Sequence, residues 1–169
     1  DGFETDDAYY AVQGKGPDGT DDPELPVHVD LENLIDYMLG ILFTGNDDAP
    51  VTLGQNQANN FFCIRNRRLA ARDGWKSFAY DNEHSLGAYS DLYDDRTRPV
   101  SAGQSMQHFN PQWLHQKLMA HPEYRMYFAD RAHKYFFNNG ALTPENTGAL
   151  CLKRAGEIDL AIIGESARW

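Results

Sequence analysis

"NNFFCIRNRRLAARDGWKSFAYDNEHSLG", residues 59–87, decides how this chain folds. Residues 61–68 and 75–80 are two runs rich in aromatic and apolar residues, separated by a segment containing Asp73-Gly74. Such runs around a turn signal predict an antiparallel hairpin. Its register has two solutions. A tight turn at Asp73-Gly74 sets Asp81 opposite Asn66, whereas a longer loop with Leu69 to Asp73 at its tip sets Asp81 near Asn60. The longer loop is expected, because only that register brings the amide and the acids to one place. In both, the strand pair ends on Asp81-Asn82-Glu83-His84, an acid, an amide, an acid and an imidazole.

Upstream, Leu31, Leu34, Ile35, Met38, Leu39 and Leu42 fall at helical spacing and form one apolar face. Asp30 is a natural N-cap and Gly45-Asn46 a natural stop. Gly40 lies inside this helix, a cost that close packing would explain. A polar loop carries Asp47 and Asp48 and runs to residue 60. Residues 1–26, rich in Gly, Pro and Asp, read as an irregular leader. Its Gly14-x-Gly16-x-x-Gly19 lacks the flanking strand and helix of a phosphate loop, so it reads as ordinary turns.

Downstream, residues 88–109 read as a long polar loop, and three helices follow. The first has Asn110 as cap, Pro111 at its first position and Trp113, Leu114 and Leu118 as its stripe. The second starts at Pro122, packs Tyr124, Tyr127, Phe128, Tyr135 and Phe136, and stops at Asn139-Gly140; the third starts at Thr143-Pro144-Glu145. The fold class is therefore α+β, mostly helical, with a hairpin carrying the polar cluster.

With 169 residues the chain can bury one sizeable core, and its 41% hydrophobic content argues for a folded globule. A net charge of −10 argues against nucleic acid as a partner, since such a surface needs a basic face. No apolar run reaches the roughly 20 residues of a membrane span. Cys63 and Cys151 have no metal or redox spacing and read as buried thiols. His108, His115, His121 and His133 lack paired ligand spacing and read as surface or capping residues.

Asp48, Asn59-Asn60, and Asp81 with Glu83 converge on one end of the hairpin. Carboxylates and amide oxygens select a hard cation such as magnesium, manganese or calcium, and Asp48 on the entering loop can take a proton from a hydroxyl nucleophile. Protein kinases use this order of a carboxylate, an amide opening a strand, a hairpin and a closing carboxylate. Their usual Asp-to-Asn interval is five positions, against twelve from Asp48 to Asn60 here.

The chain resembles the spore coat protein H (CotH) kinase family, which is similar to atypical protein kinases. Asn46-Asp47-Asp48 resembles its N-W-D motif, with Asp for Trp. Asn59-Asn60-Phe61-Phe62 resembles H-N plus aromatics, and Tyr80-Asp81-Asn82-Glu83 with Gly87 resembles W-D-x-D-x-x-x-G, with Glu for the second Asp. Residues 121–146 resemble its C-terminal helices.

This resemblance, over residues 25–169, implies a kinase-like catalytic lobe at 27–169 belonging to a longer protein. The nucleotide-gripping lobe would precede residue 27. It implies phosphoryl transfer from ATP to Ser or Thr hydroxyls of a Ser/Thr-rich protein substrate, with Mg2+ or Mn2+ as cofactor and an exported or surface location. Asp48 would orient or deprotonate the acceptor. Asn60 and Asp81 would hold the metal and nucleotide, with Glu83 assisting and Asp81 dominant. By its place beside Asp81 and Glu83 alone, His84 reads as a hydrogen-bonding neighbour of these ligands ahead of a direct ligand. The other open reading is a cation-binding or coat-assembly module without catalysis. A two-carboxylate glycosidase leaves the Asn-rich loop unexplained and lacks sugar-stacking aromatics.

Overall fold

The longest apolar stripe in the sequence becomes the organising helix. In the computed structural model, which describes residues 2–52, 57–68, 71–89, 91, 93–99 and 110–169, this helix α2 runs Leu31–Thr44; the short helix α1, Asp6–Ala11, precedes it. Asp30 Oδ1 accepts the Asn33 N–H at 2.9 Å, and Gly45 closes the helix in the left-handed region at φ 62°. Leu34, Ile35 and Met38 are almost wholly buried, at 2%, 0% and 1% exposure. Each such side chain contributes about 1.5–3 kcal/mol by leaving water. Gly40 differs from expectation: a Cβ there would meet nothing within 4 Å, so close packing does not explain it.

Among the described residues, four short strands form two separate hairpins. Strands β1 (Val51–Thr52) and β2 (Gln57–Ala58) pair antiparallel, as do β3 (Phe61–Ile64) and β4 (Lys76–Ala79). The second hairpin has the long-loop register, Phe61 opposite Ala79 and Ile64 opposite Lys76. Its first strand is shorter than the predicted run, ending at Ile64; Leu69 and Ala70, near the predicted loop tip, lie outside the described residues.

Helix α2 finishes the exposed edge of β4 as a third strand would. The Asn33 side chain accepts from Ser77 N at 2.6 Å and donates to Ser77 O at 3.2 Å. Trp75 extends the contact, its N–H donating to His28 O at 2.9 Å and its carbonyl accepting from Asp30 N at 3.2 Å. Only glycine fits at position 74. A Cβ would stand 2.3 Å from Asp30 N and from the Val29 carbonyl carbon.

The stretch read as an irregular leader contains α1, capped by Thr5, and buries Tyr9 to 3% exposure. Gly14 and Gly19 adopt positive φ in the turns that follow. Arg72 pins those turns, donating to the carbonyls of Gly14 and Asp22 and to the Asp21 carboxylate.

Helices α3 (Pro111–Leu118), α4 (Pro122–Phe136) and α5 (Pro144–Arg168) start where the capping residues predict. Asn110 Oδ1 accepts Trp113 N at 2.9 Å. Of the predicted α3 stripe only Leu118 is fully buried, beside a buried His115. His115 and His121 are core residues rather than surface ones. His115 Nδ1 lies 2.9 Å from the Tyr124 hydroxyl, and His121 stacks on Tyr9 at 3.9 Å. Both cysteines are free and exposed, contrary to the buried thiols expected.

The chain divides into two compact units, Asp1–Phe128 and Ala129–Trp169, and the division falls within α4. In the second unit Asn146 closes the turn before α5, bonding the carbonyls of Asn139 and Gly140. No residue of α5 is buried, and no described helix is long and apolar enough to cross a membrane. Of the predicted loop 88–109, residues 90, 92 and 100–109 lie outside the described residues.

Candidate metal centre

Three segments of the first unit supply the site: the loop after α2, the β1–β2 hairpin, and the loop after β4. The interval between Asp48 and Asn60 is taken up by β1 and β2, which fold the extra residues back on themselves. Asn59 N donates to Pro50 O at 2.9 Å, and Arg96, 6% exposed, reaches the carbonyls of Ala49 and Val51. The polar residues thus return to the hairpin end that carries Asp81.

Asn60 and Asp81, which flank β3 and β4, both adopt left-handed backbone, at φ 47° and 53°. Asn and Asp are the non-glycine types that tolerate this region best, and such conformations concentrate at functional sites. The turn sends the Asn60 amide to the entering loop. Its Nδ2 donates to Asp48 Oδ2 at 2.8 Å, and the Asp81 carbonyl lies 3.5 Å away. Thr52 donates to the other oxygen of Asp48 at 2.7 Å.

The Asp48 carboxylate is therefore held by neighbours on the second hairpin and the insert. Burial pushes its pKa up, but hydrogen bonds from the Thr52 and Asn59 side chains and the charge of His84 outweigh this. The group sits below the ordinary carboxylate value.

One ligand atom from each of Asp48, Glu83 and His84 falls within a common 4.8 Å. His84 is fixed by stacking on Tyr89 at 4.0 Å, with Glu83 Oε1 at 3.5 Å. Asp47 Oδ1 approaches His84 Nδ1 at 3.4 Å, and this buried oxygen has no hydrogen-bond partner among the described residues. Two carboxylates and an imidazole suit a divalent cation, manganese accepting this mixed oxygen and nitrogen set more readily than magnesium.

Asn46 joins the loops. It is fully buried, its Oδ1 accepts the N–H groups of Asp48 and Ala49 at 2.8 and 2.9 Å, and its Nδ2 donates to Asn82 Oδ1 at 3.0 Å. Backbone bonds from Asp47 N to His84 O and from Leu86 N to Thr44 O run alongside. The apolar 520 Å³ cavity between Leu34, Phe61, Trp75 and Trp113 is separate from the site and is lined by none of its residues.

A family model described as CotH kinase protein matches residues 11–162. The chain belongs to the CotH kinase family. The match begins inside the stretch read as a leader. Comparison with curated proteins and with solved structures gave no match.

Set against the residues that the motifs name in this CotH kinase family member, the geometry joins Asp48 to Asn60 directly and gathers Asp48 with Glu83 and His84. The carboxylate of exposed Asp81 is not part of that group; the left-handed turn leaves its backbone carbonyl as the atom facing Asn60. Thr52 and the bridging role of Asn46 escape a reading by residue type. The signal for Asn46 is local: an Asn followed by Asp-Asp-Ala-Pro is placed to cap the backbone of the next residues.

Proposed function

We propose that this CotH kinase family chain is a kinase-like catalytic lobe that transfers the γ-phosphoryl group of ATP to Ser or Thr hydroxyls of a protein, with Mn2+ or Mg2+. The observation that carries this reading is the Asp48 carboxylate, bonded to Asn60 and within ligand reach of Glu83 and His84 in the family's motif order. Asp48 orients the acceptor hydroxyl. Its lowered pKa suits a base that accepts the proton late, as the new oxygen–phosphorus bond forms and the bond to ADP breaks.

Glu83 and His84 hold the cation with the amide oxygen of Asn60, and Asp81 adds negative charge beside them. When bound, the cation supplies charge neutralisation on the transferring phosphates. Asn60 donates through nitrogen to Asp48, which leaves its Oδ1 for that cation. The exposed Asp81 and Glu83 favour a second reading, cation binding without catalysis.

Labelled ATP with a Ser-rich peptide separates the two. In the full-length protein Asp48→Asn is expected to lower transfer about 10²–10⁴-fold, the range of a positioned general base. Equal labelling by wild type and Asp48→Asn would refute the kinase reading. Cation binding without any labelling would support the second.

A further inference from the structure

We propose that the Asn46–Asn82 side-chain hydrogen bond is a brace that sets the separation of the Asp48 and Glu83 carboxylates, making both asparagines positioning residues of the cation site. The inference rests on the proposed cation reading and adds residues to it. Position 82 is the unspecified one in the W-D-x-D pattern that this stretch resembles, so no motif assigns Asn82 a task.

The geometry is reciprocal. Asn46 has a single side-chain oxygen and spends it on two consecutive N–H groups, those of Asp48 and Ala49, which fixes the direction in which Asp48 leaves the loop. That orientation requires the amide nitrogen to point the other way. There it meets Asn82 Oδ1 at 3.0 Å, between Asp81 and Glu83. The two backbone bonds between the loops engage Thr44, Asp47, His84 and Leu86. The amide pair ties the loop directly to residue 82, while the Asn60 side chain reaches only the Asp81 carbonyl, at the longer distance of 3.5 Å. Asn46 is fully buried with Asn82 in place, so its amide nitrogen relies on Asn82 Oδ1 as acceptor. Losing that acceptor leaves a buried donor unpaired and frees the amide to rotate.

The perturbation is Asn82→Ala, chosen because Asn82 is exposed and its side chain can be truncated without opening the core. Two readouts on the cation-free full chain test the brace: Mn2+ titration, and hydrogen exchange at the Asp48 and Ala49 amides. The brace predicts Mn2+ binding weakened about fivefold to tenfold, the effect of one hydrogen bond, with faster exchange at those amides and little change in the melting temperature. Asn82→Asp keeps an acceptor oxygen in place and is expected to restore slow exchange.

Wild-type Mn2+ affinity in Asn82→Ala, or wild-type exchange at both amides, would overturn the brace alone. Absence of Mn2+ binding in the unmutated chain would overturn the cation reading and the brace with it.

Discussion

Lowering the pH from 7 to about 4 tests whether His115 is as deeply built into the core as its surroundings show. The residue is 9% exposed, its Nδ1 lies 2.9 Å from the Tyr124 hydroxyl, and the Phe128 ring packs 5.0 Å away. Burial holds its pKa down from 6.5 to about 4. Between those values the unfolded chain binds a proton at this position and the folded chain does not. Stability from His115 is thus fully present above 6.5, falls as the pH drops, and is gone below about 4. Each pH unit in that window is worth about 1.4 kcal/mol, so the whole displacement amounts to about 3 kcal/mol. Urea unfolding followed by tryptophan fluorescence at several pH values, for wild type and His115→Gln, isolates this contribution from the other titrating groups. The wild type is expected to lose about 2–3 kcal/mol more than the variant across the window. Parallel stability curves would refute the burial argument.

Two glycines give opposite expectations. Gly40→Ala, inside α2 with open space where the Cβ would stand, is expected to stabilise the chain by about 0.5–1 kcal/mol in denaturant unfolding. Gly74→Ala, whose Cβ would lie 2.3 Å from Asp30 N, is expected to cost about 1–3 kcal/mol in denaturant unfolding and to open the backbone bridge between Trp75 and Val29, read as faster hydrogen exchange at the Trp75 amide.

Helix α2 was legible because three independent signals coincide on it: the Asp30 cap, the 3.6-residue stripe from Leu31 to Leu42, and the Gly45 stop. The register of the main hairpin was legible through chemistry, since only one pairing brings Asn60 and Asp81 to the same end. Strands β1 and β2 have two residues each and leave no alternation to read. Helix α1 anchors itself through one buried tyrosine, too little to raise a periodic signal.

At the site, residue type and order named the segments but not the directions of their side chains. A strand continued through Asp81 would put Asp81 and Glu83 on one face; the left-handed turn at Asp81 breaks that alternation, and Glu83 and His84 face Asp48 instead. The burial of His115 and His121 depends on partners nine residues or more away in sequence, Tyr124 and Asp6, which local pattern cannot supply.

The central claim is that Glu83 and His84 hold the cation beside the Asp48 base, one ligand atom of each lying within a common 4.8 Å. Calorimetric titration of the cation-free chain with Mn2+, repeated on Glu83→Gln and Asp81→Asn, tests it most directly. Replacing even an outer partner of a metal ligand typically costs about 10–100-fold in affinity. One Mn2+ is predicted to bind the wild type, at least about tenfold more weakly to Glu83→Gln, and with a smaller loss in Asp81→Asn. Equal affinity for wild type and Glu83→Gln would contradict the account.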